Sequence, residues 1–194
     1  LGRRHVVITC VTRDDLPDGG ANHFVRCIEA VREMTDATVE VLPSDFGGNG
    51  EAVDHVVDAR PEVYNHNTET VPRLYLQVRR SGRYKWAMEV LGRVAERAPE
   101  VIRKSGLMVG LGENRDEVAE VLGDLRNAGC QVVTIGQYLQ PTAQQIEVAR
   151  YWSPEEFDDL EKVGRELGLE VFAGPFVRSS YRAEEAFLHV VGQG

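Results

Sequence analysis

The sequence predicts an α/β fold, a parallel sheet with helices outside it, and three observations carry the prediction. Short apolar, β-branched runs alternate with amphipathic stretches of helical period along the chain. Successive runs are far enough apart for right-handed crossover connections. Polar clusters gather just after the runs, at the strand C-termini where parallel α/β folds place ligands. About six strands can be counted, too few for a full eight-fold barrel.

HVVIT (residues 5–9) is a β-branched run, read as a buried strand, and RDDLPDGG (13–20) is a charged, turn-rich loop. Phe24, Val25, Ile28, Val31 and Met34 recur near helical spacing and predict a helix over 22–34. TVEVL (38–42) is the second strand, and the loop PSDFGG follows it. Val53, Val56 and Val57 form the inward face of a helix over 51–59. PEVYNH (61–66) reads as the third strand and runs into Asn65-His66-Asn67-Thr68-Glu69. Helices over 72–78 and 84–97 come next. A strand over 101–109 opens the glycine-rich KSGLMVGLGE (104–113), and a helix over 117–128 is stopped by Gly129. QVVTI (131–135) is a strand ending in GQYLQP. Ser153-Pro154-Glu155-Glu156 joins a capping box to a proline at the first helical position, so a helix runs from there to about Leu167. Residues 169–172 are the last strand, before GPFVRSSY (174–181). No linker, repeat or low-complexity tract interrupts the pattern. Residues 1–194 are therefore expected to form one domain, with 174–194 as its C-terminal segment.

The chain has 194 residues, 42% of them hydrophobic, enough for one real core. A net charge of −9 argues against non-specific binding to nucleic acid or to anionic membranes. No apolar run approaches the roughly 20 residues of a membrane span. The chain opens Leu1-Gly2-Arg3-Arg4 and goes straight into a strand, with neither a signal peptide nor an initiator methionine; a piece of a longer cytoplasmic protein is expected. Cys10, Cys27 and Cys130 are far apart, with no CxxC pair and no metal-ligand spacing, which fits small buried residues in a reducing cytosol.

Gly106, Gly110 and Gly112 leave a backbone without Cβ atoms at a strand end, where a ligand can approach closely or the chain can simply turn. Asn65, Asn67 and Glu69 either hydrogen-bond a small ligand or cap the helix that follows. His66 alternates with them, faces elsewhere, and has no His or Cys partner at metal spacing. Gln137, Tyr138, Leu139 and Gln140 stack on or bond a planar ligand, or form a proline-stopped loop. Lys104 opens its strand segment as a ligand group or an exposed lysine. No phosphate loop and no Ser/His/Asp arrangement is present.

Taken together, five segments resemble lipoyl synthases, which are radical S-adenosylmethionine (SAM) enzymes. They are HVVITCVTRDDLPDGGA (5–21), YNHNTETVPRLY (64–75), KSGLMVGLGE (104–113), TIGQYLQPT (134–142) and RSSYRA (178–183), in family order and across nearly the whole chain. The chain also departs from the family pattern. The family's CxxxxCxxxxxC motif, for an auxiliary [4Fe–4S] cluster, and its CxxxCxxC motif, for the cluster that cleaves SAM, are both missing. The family places both ahead of the segment matching His5, and its first barrel strand with them. Cys10 stands where relatives often have serine.

The resemblance implies a partial parallel (β/α)6 barrel, first strand missing, with SAM across the strand C-termini. It implies sulfur insertion at C6 and C8 of a protein-bound octanoyl chain, carried by a lipoyl carrier domain or the glycine cleavage H protein. Two [4Fe–4S] clusters are expected in the complete protein and none in this chain, which is expected to be inactive alone. By motif, Gly19 and Gly20 resemble the pair against the amino-acid end of SAM, and Asn65, Asn67 and Glu69 the group near its ribose and carboxylate. Lys104, Ser105, Gly106 and Gly110 resemble the cavity lining, and Gln137, Tyr138, Leu139 and Gln140 the segment beside the adenine. Ser180, with Ser179 as the alternative, matches the serine ligand of the auxiliary cluster. The competing expectation is a non-enzymatic subunit that keeps a SAM-type pocket without clusters.

Overall fold

The computed structural model describes residues 4–180 together with 183, 187, 188 and 192. Tyr181 and Arg182 of the RSSYRA segment, and most of 174–194 beyond Ser180, lie outside the described residues. Six strands form one sheet: β1 His5–Thr9, β2 Thr38–Leu42, β3 Val63–Asn65, β4 Ile102–Val109, β5 Val132–Gln137 and β6 Glu170–Gly174. They lie side by side in chain order, every neighbouring pair parallel, and the sheet does not close on itself. This is the architecture the alternation predicts, a partial barrel. Helices α1 (Ala21–Met34), α2 (Gly50–Asp58), α3 (Tyr75–Val78), α4 (Tyr84–Arg97), α5 (Arg115–Asn127) and α6 (Pro154–Glu166) make the crossovers.

Period-two alternation sorts the strand side chains. Val39, Val41 and Tyr64 face outward onto Phe24, Ile28 and Val56 of the first helices. Val109, Val133 and Ile135 do the same against Leu122, Leu125 and Leu160 further round. The opposite, concave face carries Val63, Ile102 and Val132 at its foot, packed with Phe172 and Phe187. Above them register places Asn65 beside Lys104 and Gly106 beside Thr134. Gly136 lies beside Gly174, with Met108 and Thr134 the nearest side chains on the upper wall.

Most boundaries shift from the sequence expectation by a residue or two, and two strands show why. The third strand spans three residues rather than 61–66, because Arg60 turns at φ 53° and Pro61 has no N–H to give the ladder. The fifth strand runs on to Gln137, since the ladder along β4 continues through Val109. No helix among the described residues is long and apolar enough to cross a membrane.

Candidate active site

The concave mouth is shaped where the chain leaves β3. His66 N–H still donates to the Lys104 carbonyl (2.9 Å), and pairing resumes only when Glu69 N–H donates to Gly106 (3.1 Å) and Met108 N–H to Glu69 (2.8 Å). The residues between bulge out, with the Thr68 hydroxyl donating to the Gly106 carbonyl at 3.3 Å. Glu69 is held at φ 67°, which residues with a Cβ rarely adopt and which clusters at functional sites. The bulge sets Asn67 against Gly106, where an added Cβ would lie 2.9 Å from Asn67 Oδ1 and 2.8 Å from Thr134 Oγ1.

Two cavities meet at this point. One, of about 160 Å³, is bounded by Gly106, Thr134, Gly136, Arg178 and Ser179. The other, of about 500 Å³, is bounded by Thr9, Cys10, Ser44, His66 and Arg79. Asn67, Glu69 and Met108 line both, so the two are lobes of one site of ordinary small-molecule size.

The polar groups of the mouth are mostly acceptors. Asn65 Oδ1 and Asn67 Oδ1 are buried and make no hydrogen bond. Burial raises the carboxyl pKa of Glu69, with the Arg79 guanidinium and the Asn67 amide opposing the shift. Arg79 is itself bound to Asp45 at 3.0 Å. His66 is buried and held neutral, its pKa lowered to about 4 chiefly by burial. Its Nδ1 lies 3.2 Å from the Pro43 carbonyl, which can only accept, so Nδ1 carries the proton and Nε2 is a further buried acceptor without a hydrogen bond. The Asn67 amide oxygen and the Glu69 carboxyl, two residues apart and lining both lobes, suit a ligand rich in hydrogen-bond donors.

The structure brings together Asn67, Glu69, Gly106 and Ser179 of the residues singled out by sequence, with Asn65 just below them. Ser180 is exposed beside Ser179 and outside the two lobes. Lys104 is on the concave face but only 1% exposed, its Nζ bound to both oxygens of Glu40 at 3.0 and 3.1 Å. Ser105 faces the helix side and donates to the His66 carbonyl at 2.9 Å. Gly110, at φ 105°, lies against Gln137 and its N–H donates to the buried Glu113 at 2.6 Å. Gln137 braces the following loop: its Nε2 donates to the Tyr138 and Arg150 carbonyls and its Oε1 accepts from Trp152 N–H. Tyr138 donates to the Ile146 carbonyl, Gln140 to that of Gln145, and Leu139 is exposed. Gly19 and Gly20, at φ 60° and 92°, form the turn into α1, where Asp18 accepts from Gly20 and Asn22 N–H. Neither glycine lines the two lobes.

Sequence reasoning missed Glu40, Thr134, Met108 and Arg79. Glu40 had a signal: it is the charged centre of TVEVL, and alternation puts it opposite Val39 and Val41. Arg79 had none, being one arginine in a run of basic residues after α3.

A donor-rich cofactor such as SAM fits this mouth, because the orphaned Asn67 oxygen needs a hydroxyl or ammonium partner. An iron–sulfur cluster does not fit the cysteines present. Cys10 is exposed at the mouth, Cys27 is half-buried on α1, and Cys130 is fully buried behind the sheet. Among the described residues no three His, Cys, Asp or Glu side chains group as a metal site.

The chain belongs to the radical SAM superfamily, which its sequence matches over residues 1–125. Solved structures bear out the fold. A methylornithine synthase superposes over 88% of this chain and 56% of its own, at TM-score 0.66 and 12% identity. A domain of a pyruvate-formate lyase-activating enzyme from Bacteroides vulgatus does so over 86% and 98%, at 0.63 and 14%. Within the superfamily the chain is similar to lipoyl synthases. It is 54% identical to that of Caldanaerobacter subterraneus subsp. tengcongensis over 185 residues, covering 95% of this chain and 65% of that protein. It is 53% identical to that of Rhodopirellula baltica, covering 95% and 59%. The chain thus spans about three fifths of the length of these relatives.

Proposed function

We propose that the protein of which this chain forms part is a cytoplasmic lipoyl synthase. It inserts sulfur at C6 and C8 of an octanoyl group carried on a lipoyl carrier domain or the glycine cleavage H protein. The observation that carries the cofactor reading is the pair of acceptors Asn67 and Glu69, which line both lobes, with the Asn67 oxygen buried and without a hydrogen bond. The ribose diol and the ammonium of SAM supply the donors this pair lacks. When bound, SAM supplies the 5′-deoxyadenosyl group that abstracts hydrogen.

The chain's own residues bind and orient. Glu69, fixed by its bridge to Leu107, accepts from the cofactor, while Gly106 leaves room for the Asn67 and Thr134 side chains beside it. Cluster thiolates must come from elsewhere in the complete protein, since iron–sulfur clusters need them and this chain has none suitably spaced. One serine of the Arg178-Ser179-Ser180 segment is proposed as an oxygen ligand to the auxiliary cluster. Ser180 is favoured by motif, and Ser179 is the one that lines the smaller lobe.

Glu69→Ala tests the reading by SAM affinity in the complete, cluster-loaded protein. Removing a buried acceptor from a ligand donor costs roughly 1–3 kcal/mol, a loss of about 5- to 150-fold in Kd. An unchanged Kd removes Glu69 from the site.

A further inference from the structure

Between Glu69 and Glu89 the chain carries five cations, Arg73, Arg79, Arg80, Arg83 and Lys85, and no carboxylate, although its net charge is −9. Two of them fasten this stretch along the rim of the mouth. Arg73 binds Glu117 through two nitrogens, at 2.7 and 2.9 Å, and donates to the Gly112 carbonyl at 2.9 Å, just past the end of β4. Arg79 donates to Asp45 at 3.0 Å, just past the end of β2. The stretch therefore bridges two loops at the C-terminal ends of the strands, and its Val78 and Arg79 line the larger lobe. Between the two anchors Leu76 is 60% exposed. Beyond them Arg80 and Arg83 are exposed and have no carboxylate partner among the described residues. Arg83 lies instead 5.7 Å from the centre of the Trp86 ring. Exposed charges of this kind add little to stability. A localised positive field does raise the rate of encounter with an acidic surface.

We infer that Leu76, Arg80 and Arg83 form a docking surface on the rim for an acidic face of the carrier that brings the octanoyl group. A protein-bound acyl chain enters the mouth on a lysine side chain, so the body of the carrier has to rest on the rim. This stretch joins exposed apolar surface to uncompensated guanidinium groups, and arginine is enriched at protein interfaces. The loop after β1 sets Asp14, Asp15 and Asp18 against Arg13 alone and would repel the same face. None of the three docking residues lines either lobe, so they act on the carrier and leave the cofactor untouched. The inference rests on the carrier-bound substrate proposed above.

The test uses the complete protein with its clusters reconstituted and two probes. One is the octanoylated glycine cleavage H protein, read by its association rate constant and Kd. The other is a short octanoyl-lysine peptide, which has no folded face to dock and is read by sulfur insertion. R80E/R83E should slow association of the H protein about tenfold at low ionic strength. The difference should shrink to within about twofold at about 0.5 M NaCl, where charges are screened over a few ångströms. R80K/R83K, which keeps the charges, should associate within about twofold of the unaltered protein. Leu76→Ser should weaken Kd about fivefold, mainly through faster dissociation. Sulfur insertion into the peptide should stay within about twofold in R80E/R83E, which also shows that the variant folds. Should R80E/R83E not fold, R80Q/R83Q takes its place, with a loss of about threefold in association rate. Unchanged association of the H protein, or an equal loss on both probes, overturns the inference alone. So does insertion into the peptide by an unaltered protein that does not bind the H protein. An unaltered protein that inserts sulfur into neither probe overturns the proposed function and the inference with it.

Discussion

One methyl group at position 136 should release the segment that carries the arginine and serines of the mouth. A Cβ on Gly136 would lie 2.3 Å from the Val177 carbonyl oxygen and 3.3 Å from its carbon. Carbon contacts ordinarily settle at roughly 3.5–4.0 Å, and here the obstacle is backbone. Two relaxations are open. The strand can shift against its packed helices, an overpacking cost of about 1–3 kcal/mol. Alternatively the segment can lift, exposing Val177, now 8% exposed, at roughly 1.5–3 kcal/mol. Both routes come to about 2 kcal/mol, so the lifted state should be populated about 30-fold more. Trypsin cleavage of the Arg178–Ser179 bond under native conditions reads that population directly. Gly136→Ala should raise its rate about 30-fold and lower Tm by no more than about 4–8 °C. An unchanged cleavage rate with an unchanged Tm would show that the segment is not seated against β5, and the reasoning fails.

Other outcomes follow from the same contacts. Lys104→Met takes the only lysine from the buried Glu40 and leaves it with Asn65 and His5, costing about 3 kcal/mol of unfolding free energy at neutral pH by denaturant titration. The pH dependence should then reverse. In the unaltered protein, burial pushes Glu40 up, but His5, Lys104 and Asn65 outweigh it and hold the carboxyl below its ordinary value. Its stabilisation is therefore lost as pH falls through the acid range, whereas the variant should gain stability there as Glu40 takes up a proton. Gly106→Ala pushes only the side-chain ends of Asn67 and Thr134, so Tm should hold within a few degrees while SAM affinity falls about tenfold by calorimetry. Ser179→Ala and Ser180→Ala, made separately in the complete protein, should differ in cluster spectra; the one that alters the auxiliary cluster and stops sulfur insertion names the ligand. Glu117 is held at about 2 by Arg73 and by Asn114 N–H, so its contribution is full above its ordinary value near 4.5 and fades below it. Arg73→Ala should flatten that slope by about 1 kcal/mol or less, since the pair is partly exposed.

The alternation of apolar runs and helical stretches was legible because each crossover needs its own amphipathic helix. Helix ends were legible wherever chemistry marks them, as at Ser153-Pro154. The face of each strand residue was harder to read. In a parallel sheet covered on one side and curved on the other, both faces are buried, so Ser105 and Lys104 look alike in sequence. Their hydrogen bonds send one to the helix side and the other to Glu40. Gln137 and Tyr138 read either as ligand groups, being polar or aromatic at a strand end, or as part of a proline-stopped loop. The loop to Trp152 takes their hydrogen bonds instead, and a contact spanning 15 residues leaves no local trace. The bulge at Asn67 was hidden for the same reason, since it exists only against Gly106 of another strand.

The glycines of β5 and β6 act as a seat. Gly136 and Gly174 leave the room that the Val177 carbonyl and side chain fill. The segment after β6 can therefore fold down onto the sheet and bring Arg178 and Ser179 to the smaller lobe. One edge of the mouth is thus built by chain that has already left the sheet. An engineer wishing to change what the protein accepts can rewrite that edge without touching a strand, so long as the two glycines beneath it stay.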